Sequence, residues 1–418
     1  MKKIITFLLA ILIVDAFAQS CDGRYQTEIY SQVDVTTVDY GAAPNTVGNM
    51  VTLKMDIYQA VGDTSTDRPV VIFCFGGSFS AGSRTENNLV SFATSLAKRG
   101  FVCASIDYRI AGSPLELIQE KGMVKIVFSA IQDGKASIRY FRKNFDEGNS
   151  LGINPDNIFI GGTSAGGILA INLAYMDSVN KLPDTWQNWL EEAGGLEGNS
   201  GSPGYCSYPN GVFSFAGAVG DTSYINANDV PFYSCHATGD QTVLYNYGPP
   251  LQGFAPVNLY GSGDIATRLT NLGIYNVLDT YSGGNHPPIN ASSGLNMDVT
   301  RDNLGSFLYN IVDCNAGNQK KAIQQSCNEF YIPVGIRAIN ESKDWTIYPN
   351  PASNFVTVKG ASNFEYIKIY DALGQLVFFD KINNSNNYTL EVLDFVPGLY
   401  NVQMLSNLTW QSEALLIQ

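Results

Sequence analysis

From Tyr25 to about Cys314 the sequence alternates short runs of β-branched and aromatic residues with longer stretches whose apolar residues recur every three or four positions. A chain patterned this way builds a mostly parallel sheet covered by helices on both faces, since each parallel crossover leaves room for a helix. Candidate strands are Val33 to Asp39, Thr52 to Tyr58, Pro69 to Phe75, Phe101 to Tyr108, Asn157 to Ile160, Val212 to Gly217, Val230 to His236 and Tyr275 to Tyr281. The first two alternate apolar and polar residues, as an antiparallel edge does. Val70-Val71-Ile72-Phe73 is continuously apolar, as a central strand buried on both faces must be. Helical spacing is clearest in Val124 to Phe141, Gly167 to Tyr175 and Asp298 to Val312. The fold class expected for residues 25–314 is therefore α/β, an eight-stranded mostly parallel sheet flanked by helices. With 418 residues, 45% of them hydrophobic, the chain has material for such a core and for a further domain.

The ends of the chain have another character. Lys2 and Lys3, the apolar run Ile4 to Val14, and the small-x-small sequence Ala16-Phe17-Ala18 make residues 1–18 an expected secretory signal peptide. Cys21 follows closely, but Ala18-Gln19-Ser20 is a poor lipid-attachment sequence, so release is expected rather than anchoring. No other apolar run reaches the ~20 residues of a membrane span, so the mature chain is expected to lack one. The net charge of −13 argues against a nucleic-acid partner, which requires a basic face. Seven cysteines in an exported chain leave at least one unpaired. Cys206 with Cys235 and Cys314 with Cys327 are possible bridges, whereas Cys74 and Cys103 sit in strand-like runs as small buried hydrophobes. Between Asp184 and Asn210 the pattern lapses into a Trp-containing, Gly/Ser/Pro/Asn-rich stretch expected to form a lid or pocket wall. Residues 315–343 read as a linker. Residues 344–418 read as a small antiparallel β-sandwich, with strands Asn354 to Val358, Tyr366 to Tyr370, Leu376 to Phe379, Tyr388 to Val392 and Leu399 to Leu405.

The chemistry concentrates in Ile158-Phe159-Ile160-Gly161-Gly162-Thr163-Ser164-Ala165-Gly166-Gly167, a Gly-x-Ser-x-Gly sequence set between a buried strand and an Ala/Leu-rich helix. Such a serine stands on a sharp turn, with glycines where strand and helix pass closely and a helix N-terminus aimed at developing negative charge. Upstream, the strand Val70 to Phe75 runs into Gly76-Gly77-Ser78-Phe79, where backbone N–H groups face the crevice at the carboxyl edge of the sheet. Gly76, Gly77 and Ser78, with Ala165, are the candidate oxyanion donors. A serine hydroxyl needs a general base held by a carboxylate. The chain has only two histidines. His286, in Gly283-Gly284-Asn285-His286-Pro287 after the last strand, is the expected base, and His236 a structural group behind the acid turn. Asp240, beside Gly239, is the expected orienting acid, with Asp221 in reserve. The chain order Ser, Asp, His decides these assignments.

Residues Tyr40 to His286 resemble the carboxylesterase/lipase branch of the α/β-hydrolase superfamily. The resemblance rests on the glycine loop Gly76-Gly77, on Ser105-Ile106-Asp107-Tyr108-Arg109, on Asp133 to Arg139, on the turn at Ser164, and on the late Asp240 and His286. Where that family usually opens its oxyanion motif with histidine, this chain has Phe75. The resemblance implies a serine esterase with Ser164 as nucleophile, His286 as base and Asp240 as acid, with no metal and no organic cofactor. The C-terminal part resembles a type IX secretion sorting domain, on Tyr348-Pro349-Asn350-Pro351, Ile369-Tyr370-Asp371-Ala372-Leu373-Gly374-Gln375, Pro397-Gly398-Leu399-Tyr400 and Leu415-Leu416-Ile417. That likeness implies export through the periplasm to the cell surface or medium, with the secretion machinery as a partner. The expected substrate is a small-molecule or polymer-linked ester. A secreted serine peptidase on the same fold and a non-catalytic esterase-like binding module are the alternatives, and a carbohydrate-binding sandwich is the alternative for the C-terminal part. Trp186, Trp189, Tyr205, Tyr208, Tyr245 and Tyr247 are candidates for an aromatic-lined cleft, with ordinary packing as the competing reading.

Overall fold

The run Val70 to Phe73 has no exposed surface, and the sheet is built outward from it. The computed structural model describes residues 23–312 except 290–293 and 295, and residues 345–418 except 361–363, 365, 372–375, 383–385, 394 and 407–408. The expected signal peptide, the linker, and Cys21, Cys314 and Cys327 lie outside the described residues. The chain divides into two compact units, Met1–Val334 and Gly335–Gln418.

In the first unit, eight strands form one sheet: β1 (Val33–Pro44), β2 (Met50–Ala60), β3 (Arg68–Cys74), β4 (Val102–Ile106), β5 (Ile153–Thr163), β6 (Gly211–Phe215), β7 (Phe232–Ala237) and β8 (Asn276–Tyr281). Their spatial order is β1-β2-β4-β3-β5-β6-β7-β8. β1 pairs antiparallel with β2, and β2 with β4, while the remaining neighbours are parallel. Every expected strand is present, and the alternating pair forms the antiparallel edge. The helices are α1 (Asn87–Lys98), α2 (Glu120–Asp146), α3 (Ala165–Tyr175), α4 (Asp184–Glu192), α5 (Ser262–Asn271) and α6 (Met297–Ile311).

Three helices exceed the sequence expectation. α1 buries Leu89, Phe92, Ala93, Leu96 and Ala97, a three-four spacing visible in the sequence once the helix is known. Phe92 stacks on Phe215 with ring centroids 4.6 Å apart, so Phe92→Ala is expected to cost about 3–5 kcal/mol. α5 carries only Ile265 and Leu269 as buried apolar side chains. α4 lies inside the stretch expected to be irregular. It follows Pro183 and has Asp184 in its first turn, but buries only Leu190, too little for a periodic signal.

β3 and β5 are adjacent and end level, with Cys74 opposite Gly162. The connection after β3 runs through α1 to β4 and that after β5 through α3 to β6, in opposite directions along the sheet, which opens here the crevice where open α/β sheets place their ligands. β7 and β8 also run parallel and end level, with Ala237 opposite Tyr281. The turns carrying Ser78, Ser164, Asp240 and His286 therefore leave one edge of the sheet.

The second unit contains two antiparallel sheets. β9 (Thr346–Tyr348), β10 (Phe355–Lys359) and β13 (Asn387–Glu391) form one, in the order β9-β10-β13. β11 (Tyr366–Tyr370), β12 (Leu376–Lys381), β14 (Gly398–Ser406) and β15 (Thr409–Ile417) form the other, in the order β12-β11-β14-β15. Val356, Val358, Ile367, Ile369, Val402 and Leu415 share one core. The two terminal strands, β9 and β15, were not among those expected. Trp345 is 1% exposed and belongs to this core.

The cysteines differ from one expected pairing. Cys206 is disulfide-bonded, but Cys235 is a free thiol buried in β7, as Cys74 and Cys103 are in β3 and β4. Cys235 lies wholly within the sheet and forms no disulfide, so the expected bridge between Cys206 and Cys235 is not made. Burial pushes its thiol well above the ordinary value, so it is inert.

Candidate active site

One residue, Ser164, separates the end of β5 from the start of α3. Its backbone has φ 52° and ψ −113°, a conformation that L-residues rarely adopt and that costs on the order of 1–3 kcal/mol. The turn is held on both sides: Ser164 N donates to the Phe215 carbonyl at 2.8 Å, and the Ser164 carbonyl accepts from Ile168 N at 2.9 Å. Two glycines make it sterically possible. A β-carbon at Gly162 would lie 2.1 Å from the Cys74 carbonyl oxygen, and one at Gly166 2.2 Å from the same atom.

The structure brings the three side chains singled out in the sequence into one chain of hydrogen bonds. Ser164 Oγ is 2.7 Å from His286 Nε2, and His286 Nδ1 is 2.5 Å from Asp240 Oδ2. With the ring neutral and its proton on Nδ1, Nδ1–H donates to the carboxylate and Nε2 accepts from the serine hydroxyl. The other oxygen, Asp240 Oδ1, accepts from the N–H groups of Thr242 at 2.8 Å and Val243 at 3.1 Å. Burial alone would raise the Asp240 pKa, but hydrogen bonds from His236, His286 and the Thr242 N–H outweigh it and hold the group at about 2.

His236 is fully buried behind this turn. Its Nε2 lies 2.9 Å from the Val243 carbonyl and 3.3 Å from Asp240 Oδ2. Its Nδ1 meets Ser262 Oγ at 2.8 Å, and Ser262 Oγ meets Ser234 Oγ at 2.7 Å. The ring thus braces the Asp240 turn from inside and makes no hydrogen bond to Ser164. Asp221 serves elsewhere: it caps a short turn by accepting from Ser223 N at 2.7 Å.

The loop after β3 divides the four candidate oxyanion donors. Gly76 N is already spent, donating to Glu86 Oε2 at 3.0 Å. Among the described residues, the N–H groups of Gly77, Ser78 and Ala165 donate to no protein acceptor. Gly77 has φ 117°, and Ser78 and Phe79 have φ 53° and 56°, so this loop turns through three left-handed residues in succession. Phe75, at 2% exposure, packs beneath it and stacks on Tyr108 with centroids 4.1 Å apart, while Tyr108 OH donates to the Phe75 carbonyl at 2.7 Å. Glu86 was not anticipated as part of the site. It lies ten residues beyond Gly76, and no motif links the two.

Arg109 and Asp133 tie the end of β4 to α2 through a buried pair, with Arg109 Nε 3.0 and 2.9 Å from the two carboxylate oxygens and Arg109 N 2.7 Å from Asp133 Oδ2. Beside Ser164 opens a cleft of about 810 Å³, its mouth included. Met123, Val127 and Phe128 of α2, Ile168 of α3, Met176 just beyond it and Trp186 of α4 line it, with residues from 250–259 opposite. Of the six aromatic residues proposed for a cleft from the sequence, only Trp186 lines it. Trp189 and Tyr208 pack against the core, Tyr245 sets its ring edge to His236, and Tyr247 packs against Tyr260. Among the described residues no group of three or more His, Cys, Asp or Glu is arranged to hold a metal ion, and no helix is long and apolar enough to cross a membrane.

Comparison with known proteins agrees with the fold. Residues 55–196 match the family described as BD-FAE, a span that includes Ser164 and stops short of Asp240 and His286. Residues 346–418 match the secretion system C-terminal sorting domain. No curated protein matches the chain by sequence. Among solved structures, Thermogutta terrifontis esterase 2 phosphoramylated by tabun is 22% identical with a TM-score of 0.50, covering 68% of this chain and 97% of that one. The propionate-bound form of the same esterase is 22% identical with a TM-score of 0.49, over 68% of this chain and 97% of that one.

Proposed function

We propose that this α/β-hydrolase, ending in a secretion sorting domain, is an exported serine hydrolase that cleaves carboxylic esters. The observation that carries the reading is the unbroken hydrogen-bonded chain Ser164–His286–Asp240 beside the open N–H groups of Ala165 and Gly77. In the proposed reaction Ser164 Oγ attacks the ester carbonyl carbon while His286 Nε2 takes the hydroxyl proton. The carbonyl oxygen becomes an oxyanion held by the N–H of Ala165 at the start of α3 and by an N–H of the Gly77-Ser78 turn. The intermediate collapses, His286 gives its proton to the departing alkoxide, and the acyl group stays on Ser164. Water then attacks, His286 again taking and returning the proton, and the carboxylic acid leaves. Asp240, ionised throughout, holds the proton on Nδ1 and stabilises the imidazolium that forms in each half-reaction.

A fluorophosphonate probe tests this directly, since it reacts only with an activated serine. Labelling is expected in the wild type and not in Ser164→Ala, with ester turnover falling by several orders of magnitude in that variant. Near-normal turnover by folded Ser164→Ala would overturn the assignment. An ester and an amide bearing the same acyl group, compared in one assay, separate the esterase reading from the peptidase one. Export is proposed on the sorting domain at 346–418; a chain lacking those residues is expected to remain in the cells of a host with type IX secretion.

A further inference from the structure

We propose that the cleft beside Ser164 takes the acyl limb of the substrate as an unbranched aliphatic chain of medium length, leaving the alcohol limb in water. The inference rests on the ester-hydrolase reading above and adds to it which half of the ester is selected, and by what.

The side of the site decides which limb enters. The general acid must reach the leaving oxygen within hydrogen-bond distance, so the alcohol departs on the face of His286. Among the described residues none of 281–289 lines the cleft, and Ser282, Gly283, Gly284 and Asn285 before His286 are exposed. The cleft is lined instead by Ala165, Ile168 and Asn172 of α3 and by Met176 beyond it. With the alcohol at His286, the acyl limb occupies the cleft.

The length of the cleft follows from α3. Ala165, Ile168 and Asn172 line it from one face of the helix, and Met176, which caps the helix, lines it one turn farther on. From Ala165 to Met176 the axis rises by roughly 16 Å at about 1.5 Å per residue. An extended carbon chain built from bonds of about 1.5 Å advances roughly 1.3 Å per atom, which gives room for about eight to twelve carbons.

The lining excludes polar acyl groups. Asn172 is the polar side chain on that helix face, and its amide is already engaged: Nδ2 donates to the carbonyls of Ile168 at 2.7 Å and Ala218 at 3.2 Å, and Oδ1 accepts from Gly220 N at 3.0 Å. Ser78, Ser164 and Thr242 lie at the end nearest the reaction, in the oxyanion loop, the nucleophile turn and the acid turn. The rest of the wall is dominated by Met, Val, Ile, Leu and aromatic side chains, and the two methionines, Met123 and Met176, adapt to a flexible chain.

The test uses the full-length mature protein and a p-nitrophenyl ester series from acetate to dodecanoate, beside alkyl acetates from ethyl to octyl. Each methylene buried in the cleft is worth up to roughly fourfold in kcat/KM. We expect kcat/KM to rise at least about tenfold from acetate to octanoate and to vary less than about threefold along the alcohol series. Val127→Phe and Met176→Phe are expected to lower the octanoate-to-acetate ratio at least about fivefold; Val127 is only half-buried, so its variant keeps the test open if the other fails to fold. A profile that is flat or falls with acyl length, in protein whose Ser164 still takes a fluorophosphonate, overturns the acyl assignment alone. Steeper selection along the alcohol series than along the acyl series overturns it too. Absence of labelling and of turnover overturns the hydrolase reading, and this inference with it.

Discussion

The backbone N–H of Gly76 donates to Glu86 Oε2 at 3.0 Å, a bond that fastens the Gly76–Phe79 loop to the residue just before α1. It withdraws one of four candidate donors from the oxyanion and fixes the loop carrying the others. Burial, only partly offset by this bond, raises the Glu86 pKa.

Loss of that latch is expected to act through loop position. Glu86→Ala should lower kcat roughly tenfold with a smaller change in KM, because the displaced donors meet the oxyanion only in the transition state. Glu86→Gln keeps an acceptor oxygen and should restore most of the rate. Steady-state kinetics of the two variants decide the matter, and equal losses in both would point to charge instead of position.

The two histidines should separate cleanly. His286→Ala is expected to remove turnover by several orders of magnitude while the melting temperature changes little, since the ring is partly exposed. His236→Phe strands the Val243 carbonyl and Ser262 and should cost about 1–3 kcal/mol of stability, with a much smaller loss of turnover. Denaturant melts read beside esterase rates test both. A stable but inactive His236 variant would contradict the bracing role.

Among the carboxylates with shifted pKa values, Asp240 and Asp229 act on the pH dependence of stability in opposite senses. Asp240 is held at about 2, below its ordinary 3.8, so its contribution is complete above about pH 4 and is lost as pH falls through 2. Asp229 is pushed up to about 6, chiefly by burial, against the opposing bond from Asn226 N. The folded state therefore holds that proton more tightly than the unfolded one, and stability falls as pH rises from about 4 to 6. Asp229→Asn should gain on the order of 1 kcal/mol relative to wild type between pH 4.5 and 7.5, after allowance for its partial exposure. Urea midpoints at the two pH values provide the check.

Close approach at the Ser164 turn predicts a steric effect. Gly162→Ala would drive a β-carbon to 2.1 Å from the Cys74 carbonyl oxygen, and β3 and β5 cannot part without breaking their ladder. We expect a loss of more than about 2 kcal/mol in stability together with loss of activity. Thermal unfolding and fluorophosphonate labelling of the variant measure the two effects.

The sequence by itself determined the eight sheet strands, the antiparallel edge, the turn at Ser164 and the late positions of Asp240 and His286. These rest on local rules: alternation of side chains, continuous apolar runs, glycines flanking a strained residue, and chain order. Tertiary structure alone decided the order in which the strands lie side by side, and so which turns share an edge. It placed Glu86 on Gly76, His236 behind Asp240, and Met176 and Trp186 along one cleft, contacts between residues that no local periodicity connects. It also separated Cys206 from Cys235 and gave α4 a helix where a single buried leucine left no pattern to read. Local propensity is written residue by residue, whereas a binding cleft is empty space bounded by distant segments, and its shape exists only once they have packed.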